Sequence, residues 1–95
     1  MERKDLVNLL LERGYDQRSA ELVAPELLQL STSLQSLFKD WVNDASCVVD
    51  YSVEGYSIFS LMKERKMTYP AALLTIDWLI KEPEAALKSL TKGIR

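Results

Sequence analysis

Histidine is absent from this chain of 95 residues. Its absence removes the commonest general base and metal ligand of proteins, and with them any Ser-His-Asp or Cys-His nucleophile. Cys47 is the single cysteine, so no disulfide can form within the chain. The carboxylate pairs Asp40 with Asp44 and Glu82 with Glu84 are interpreted as solvated surface groups. We therefore expect a protein that is not an enzyme and that holds neither a metal ion nor a cofactor.

Strong charge is also lacking, because the formal net charge is −2. The charge is unevenly distributed: residues 1–50 carry five basic and nine acidic groups, and residues 51–95 carry seven and five. The asymmetry is either ordinary surface variation or support for head-to-tail contacts or a weak basic patch. No apolar run reaches the ~18 residues of a membrane span, and the first residues do not resemble a secretory signal. These features predict a cytoplasmic protein with no membrane partner.

The spacing of apolar residues predicts an all-α fold, a single helical domain over residues 1–95 built as an orthogonal bundle of five or six short helices. We expect the first helix over residues 2–13, with Gly14 just past its end and Asp16 as the cap of the second helix. Pro25 either kinks or ends that second helix, and the sequence leaves both possibilities open. No internal repeat was found.

The clearest helical pattern covers residues 33–43, and Thr32 with Gln35 has the spacing of a capping box. The period then changes to two, which predicts at most one short extended segment near residues 48–53. A lone strand needs a partner, and its own copy across a dimer axis is one option. The last helix is expected to start at Glu82-Pro83 and to end near Gly93.

Residues 69–81 are the most informative segment. Thr68 is a suitable cap, Pro70 is tolerated in the first turn, and apolar residues cover nearly the whole circumference of the predicted helix. A helix that is apolar all round has to be enclosed, yet a small chain has little material to enclose it. The pattern therefore predicts a central helix, a contact with a partner subunit, or both.

The leading functional hypothesis is a small non-catalytic interaction module that binds a protein partner or itself as a homo-oligomer. Its interface is predicted to include aromatic and aliphatic side chains of two helices: Trp41, Leu73, Leu74, Ile76, Trp78, Leu79 and Ile80.

The alternative hypothesis is a nucleic-acid-binding protein. Residues 57–81 have the dimensions of a helix-turn-helix unit, and Lys63, Arg65 and Lys66 cluster at its bend, where they can contact phosphates. The second helix, however, begins with apolar residues instead of the Arg, Lys, Asn or Gln that read bases.

Overall fold

The computed structural model of the chain describes residues 2–92, and Lys92 by its backbone alone. Within this range the chain forms six helices and one short hairpin, which confirms the all-α fold class. The elements are α1 (Arg3–Glu12), α2 (Gln17–Leu27), α3 (Thr32–Asn43), β1 (Ser52–Val53), β2 (Tyr56–Ser57), α4 (Ile58–Glu64), α5 (Tyr69–Lys81) and α6 (Pro83–Lys92). Two compact units are resolved, the first ending at Val48 and the second beginning at Val49. The single domain over residues 1–95 stays a prediction.

The first unit contains α1, α2 and α3, and α1 packs against α2. Gly14, with φ 102°, follows α1 in the left-handed region, as its position after the helix predicted. Asp16 caps α2 as predicted, since its Oδ2 accepts a hydrogen bond from the Ser19 backbone N–H at 3.5 Å. Buried apolar side chains of this unit are Leu6, Val7, Leu10, Ala20, Ala24, Leu27, Leu30, Leu34, Phe38 and Trp41.

Pro25 lies inside α2, which continues to Leu27, so the proline does not end the helix near Val23. A proline removes one N–H donor from a helix, and here it does so only two residues before the last helical residue. Ala20, Ala24 and Leu27 lie on one side of α2 and are buried, so packing continues across the proline.

The capping box predicted for α3 is not formed. Ser31 is the N-cap residue and Thr32 is already helical. The Gln35 side chain does not reach back to close a box, because its Nε2 donates to the Leu30 carbonyl at 2.6 Å. The predicted box therefore starts one residue too late, at Thr32 instead of at the N-cap residue Ser31.

The second unit contains the hairpin, α4, α5 and α6, with α5 packing against α4, α6 and β1. Ser52 pairs with Ser57 and Val53 with Tyr56, both antiparallel. The two loop residues, Glu54 and Gly55, have φ 54° and 84°, the positive values that a type I′ turn requires. The extended segment near 48–53 therefore pairs within its own chain, through a second strand that the sequence did not predict.

Side-chain caps start α4 and α5, and Thr68 is the cap that the sequence predicted for α5. The Ser57 Oγ accepts from the Ser60 backbone N–H at 3.1 Å, and the Thr68 Oγ1 accepts from Ala71 at 3.3 Å. Pro70 lies in the first turn of α5, whose observed bounds equal the predicted ones. Gly93, the expected end of α6, lies outside the described residues. Buried apolar side chains of this unit are Ile58, Leu61, Tyr69, Pro70, Ala72, Leu73, Ile76, Leu79, Ala86 and Leu90.

The bend between α1 and α2 and the bend between α4 and α5 are built in the same way, although the sequence showed no repeat. The helix before each bend ends at an arginine: Arg13 is the C-cap residue of α1, and Arg65 is the C-cap residue of α4. A residue with positive φ follows it, Gly14 in one unit and Lys66 (φ 55°) in the other. After one further residue comes the N-cap of the next helix. Each arginine also donates to a carbonyl in the third helix of its unit, so one scheme of helix ends serves both halves.

Candidate protein-interaction surfaces

α5 carries six of the seven predicted interface residues, and the structure divides them by exposure. Leu73, Ile76 and Leu79 are at most 1% exposed. Leu74 and Trp78 are half-buried, and Ile80 is 38% exposed. Ala71 and Thr75 are half-buried as well, so a partly open stripe runs along the helix. α5 is therefore not shielded on every side, because the described chain covers the Leu73 side more fully than the Leu74 side.

Trp41 is the seventh predicted interface residue and lies in α3 of the first unit, where it is 6% exposed. Its ring stacks on Phe38 with centroids 5.8 Å apart, and the Arg13 guanidinium lies 4.6 Å from the ring centroid. Arg13 also donates from Nη1 to the Trp41 carbonyl at 3.0 Å and from Nη2 to the Val42 carbonyl at 2.9 Å. Trp41 thus packs inside its own unit, and the accessible part of the predicted interface reduces to Leu74, Trp78 and Ile80.

The residues of the nucleic-acid hypothesis lie at the bend between α4 and α5. Lys63 and Lys66 are exposed, whereas Arg65 is half-buried. The Arg65 Nη2 donates to the Leu90 carbonyl at 2.9 Å, and its Cζ lies 5.9 Å from the centroid of the Tyr56 ring. The arginine therefore stabilises the fold of its own unit. Two free lysines remain available for phosphates.

The first turn of α5 would have to enter a DNA groove in a helix-turn-helix protein. Tyr69 and Pro70 are buried there, and so are Ala72 and Leu73 one turn on. Buried apolar side chains cannot contact base edges without unfolding the packing against α4 and α6. The bend is present without a base-reading surface on the helix that follows it.

Large apolar side chains are also exposed outside the predicted interface. Leu22 is 64% exposed and Phe59 is 45% exposed. The others are Leu28, Val48, Val49 and Tyr51. Leu22 could have been found from the sequence, because it falls outside the α2 stripe of Ala20, Ala24 and Leu27. The exposed side chains lie in three places: the outer side of α2, the segment 48–59, and the C-terminal part of α5.

Asp16, Asp44 and Glu82 are cap residues of helices and accept hydrogen bonds from nearby residues. Hydrogen bonds from the Ser46 side chain and then its backbone N–H lower the pKa of Asp44, with Oγ at 2.8 Å and N at 3.0 Å from Oδ1. A hydrogen bond from the Ser19 side chain is the main cause of the lowered pKa of Asp16. A lowered pKa favours the carboxylate form at neutral pH and does not suit a general acid. Glu82 accepts from the Trp78 Nε1 at 3.2 Å.

Among residues 2–92, no group of three or more Cys, Asp or Glu side chains is placed to hold a metal ion. The first unit has an open groove of about 510 Å³, lined by apolar side chains and by the polar side chains of Gln35, Lys39 and Asn43. Its lining residues are Leu27, Leu28, Gln35, Phe38, Lys39, Val42 and Asn43.

None of the helices in the described part of the chain has the length and apolar content needed to cross a membrane. Comparison of the chain with protein-family models, with curated proteins and with solved structures gave no match.

Proposed function

We propose that this protein is a small non-catalytic interaction module of the cytoplasm, and that it associates with itself. The observation that carries the proposal is the exposure of large apolar side chains on helices whose opposite sides are well packed. In α5, Ile80 is 38% exposed while Leu73, Ile76 and Leu79 are at most 1% exposed. Half-buried Leu74 and Trp78 extend this accessible apolar edge along the helix. Water contact with such surface is unfavourable, and burial against a partner removes it.

Self-association is favoured over a distinct partner by the size of the chain. A domain of this length buries only about 60–65% of the surface of its unfolded form, so a second copy adds apolar burial that a single copy lacks. The single cysteine and the absence of an apolar run of span length support a cytoplasmic setting.

The nucleic-acid alternative has less support. Arg65 is engaged by the Leu90 carbonyl, the start of α5 is buried, and the formal charge is −2. A surface that neutralises several phosphates needs more cations than the two exposed lysines of this bend, Lys63 and Lys66. Retention on immobilised duplex DNA at low salt, lost on Lys63→Glu, would support this alternative over the interaction module.

Sedimentation equilibrium over micromolar to millimolar protein concentrations tests self-association. We expect the weight-average mass to rise with concentration above the 10.9 kDa of one chain. A mass that stays at one chain over the whole range contradicts the self-association. In that event, pull-down with the chain as bait and an Ile80→Ser variant as the control would test for a different protein partner.

A further inference from the structure

We infer that α2 is the contact between two copies of this chain, and that the two α2 helices pair antiparallel about Leu22. The inference rests on the proposed self-association and names its surface. Leu22 is 64% exposed, the highest value among the large apolar side chains that are exposed in the described chain. A leucine this open is unfavourable in water and becomes favourable once a second apolar side chain covers it.

Charged residues lie at equal distances on both sides of Leu22. Arg18 is four residues before it and Glu26 is four residues after it, and both side chains are exposed. Residues four apart lie on one face of a helix, separated by about 6 Å along its axis. The outer face of α2 thus reads cation, leucine, anion in order along the helix.

Neither Arg18 nor Glu26 forms an ion pair within the described part of the chain. The ion pair found in the described residues joins Lys81 to Asp77, and the Glu21 carboxylate, also on α2, accepts from the Gln17 side chain at 2.6 Å. Arg18 and Glu26 have no ion-pair partner between residues 2 and 92. Both groups are therefore available to a partner.

A second copy fits this face by symmetry. When two α2 helices lie antiparallel with a two-fold axis at Leu22, Leu22 meets Leu22, and Arg18 of each copy meets Glu26 of the other. A parallel arrangement would bring Arg18 near Arg18 and Glu26 near Glu26, which is unfavourable. The order of the charges therefore favours α2 of a second copy as the partner, and it favours the antiparallel direction.

The contact is small, since α2 has 11 residues. Interfaces that bury less than about 1,200 Å² in total are typical of weak and transient complexes. We expect a dimer that forms at high concentration and weakens as salt screens the two exposed ion pairs.

Charge reversal tests the inference directly. Arg18→Glu and Glu26→Arg each turn two attractive pairs into two repulsive ones, and each single variant should dimerise about tenfold more weakly than the natural chain. An equimolar mixture of the two variants should form a heterodimer, because each carries the charges that the other needs. The double variant R18E/E26R should recover the dimer. Lys39→Glu is the matched reversal at an exposed α3 position and should leave dimerisation unchanged.

A second series removes the apolar centre. Leu22→Ser should weaken the dimer, whereas Phe59→Ser, at an exposed apolar position outside α2, should not. Circular dichroism of each variant confirms that its helices are kept. If the natural chain dimerises but R18E and Leu22→Ser do so equally well, the α2 contact is refuted and the self-association stands. If the natural chain is a monomer up to millimolar concentration, both are refuted.

Discussion

Replacement of Arg13 by methionine should destabilise the first unit more than any other single change at a charged side chain. Arg13 makes two hydrogen bonds to carbonyls in the last turn of α3, at 3.0 and 2.9 Å, and its guanidinium lies 4.6 Å from the Trp41 ring centroid. Methionine keeps much of the side-chain volume and removes both the donors and the charge.

The magnitude follows from these contacts. A hydrogen bond from a charged donor contributes about 1.5–3 kcal/mol, and a cation–π contact that is partly exposed contributes about 0.5–1 kcal/mol. Because the contacts share one flexible side chain, their contributions do not add, and we expect a loss of about 2–3 kcal/mol. A chain of this length has a total stability of roughly 5–14 kcal/mol, so the loss is large.

Tryptophan fluorescence during urea unfolding measures this loss in the relevant unit. The chain has two tryptophans, and Trp41 lies in the first unit while Trp78 lies in the second. In a Trp78→Phe background, the emission of Trp41 reports the first unit alone. Arg13→Lys should also lower the free energy of unfolding, but by less than Arg13→Met. One amine cannot reproduce the two parallel donors of a guanidinium.

Arg65→Met and Arg3→Met are the comparison variants. Arg65 makes one hydrogen bond of 2.9 Å to a carbonyl, and its guanidinium lies 5.9 Å from the centroid of the Tyr56 ring. The loss of stability on Arg65→Met should therefore be smaller. Arg3 is exposed and should change stability by less than about 0.5 kcal/mol. If Arg13→Met were as stable as Arg3→Met, the assignment of Arg13 as the connection between α1 and α3 would be wrong.

Three further outcomes are expected. Leu73→Ala should cost about 2–5 kcal/mol in urea unfolding, against less than about 0.5 kcal/mol for Ile80→Ala; equal losses would contradict the burial difference on α5. Gly14→Ala should cost about 1–2 kcal/mol through backbone strain alone, since no atom lies within 4 Å of the added methyl group; an unchanged midpoint would contradict the positive φ. The pKa of Asp16 is lowered from 3.8, so its contribution to stability is present above that pH and is lost as pH falls through the folded-state value. Asp16→Asn keeps a cap, and the melting temperature of this variant should fall less than that of the natural chain as the pH is lowered.

Much of the helical architecture could be predicted from the sequence because local signals determine helix ends. Thr68 and Pro70 placed the start of α5, and Asp16 placed the start of α2, since a cap needs only its own side chain and the next backbone N–H groups. The hairpin was missed because its turn uses Glu54 before Gly55, whereas Asn or Asp is the common first residue of such turns.

Exposure was harder to predict than helix position. Leu73 and Leu74 are the same residue type on the same helix, yet one is buried and the other half-buried. Their difference depends on where α4 and α6 pack, which no local pattern encodes. For the same reason, Trp41 was assigned to an interface. Its ring is covered by Phe38, three residues away, and by Arg13, which is 28 residues away in the sequence.

Each unit contains a bend of the same kind, and we expect the two bends to be interchangeable. Residues 13–16 and 65–68 share three backbone features: an arginine C-cap with φ −92° or −109°, a following residue with positive φ, and an extended N-cap residue. Transplanting one four-residue segment into the place of the other should therefore preserve both helical pairs. Evolution, or an engineer, could rewrite the helix faces on either side of such a bend while leaving its path untouched.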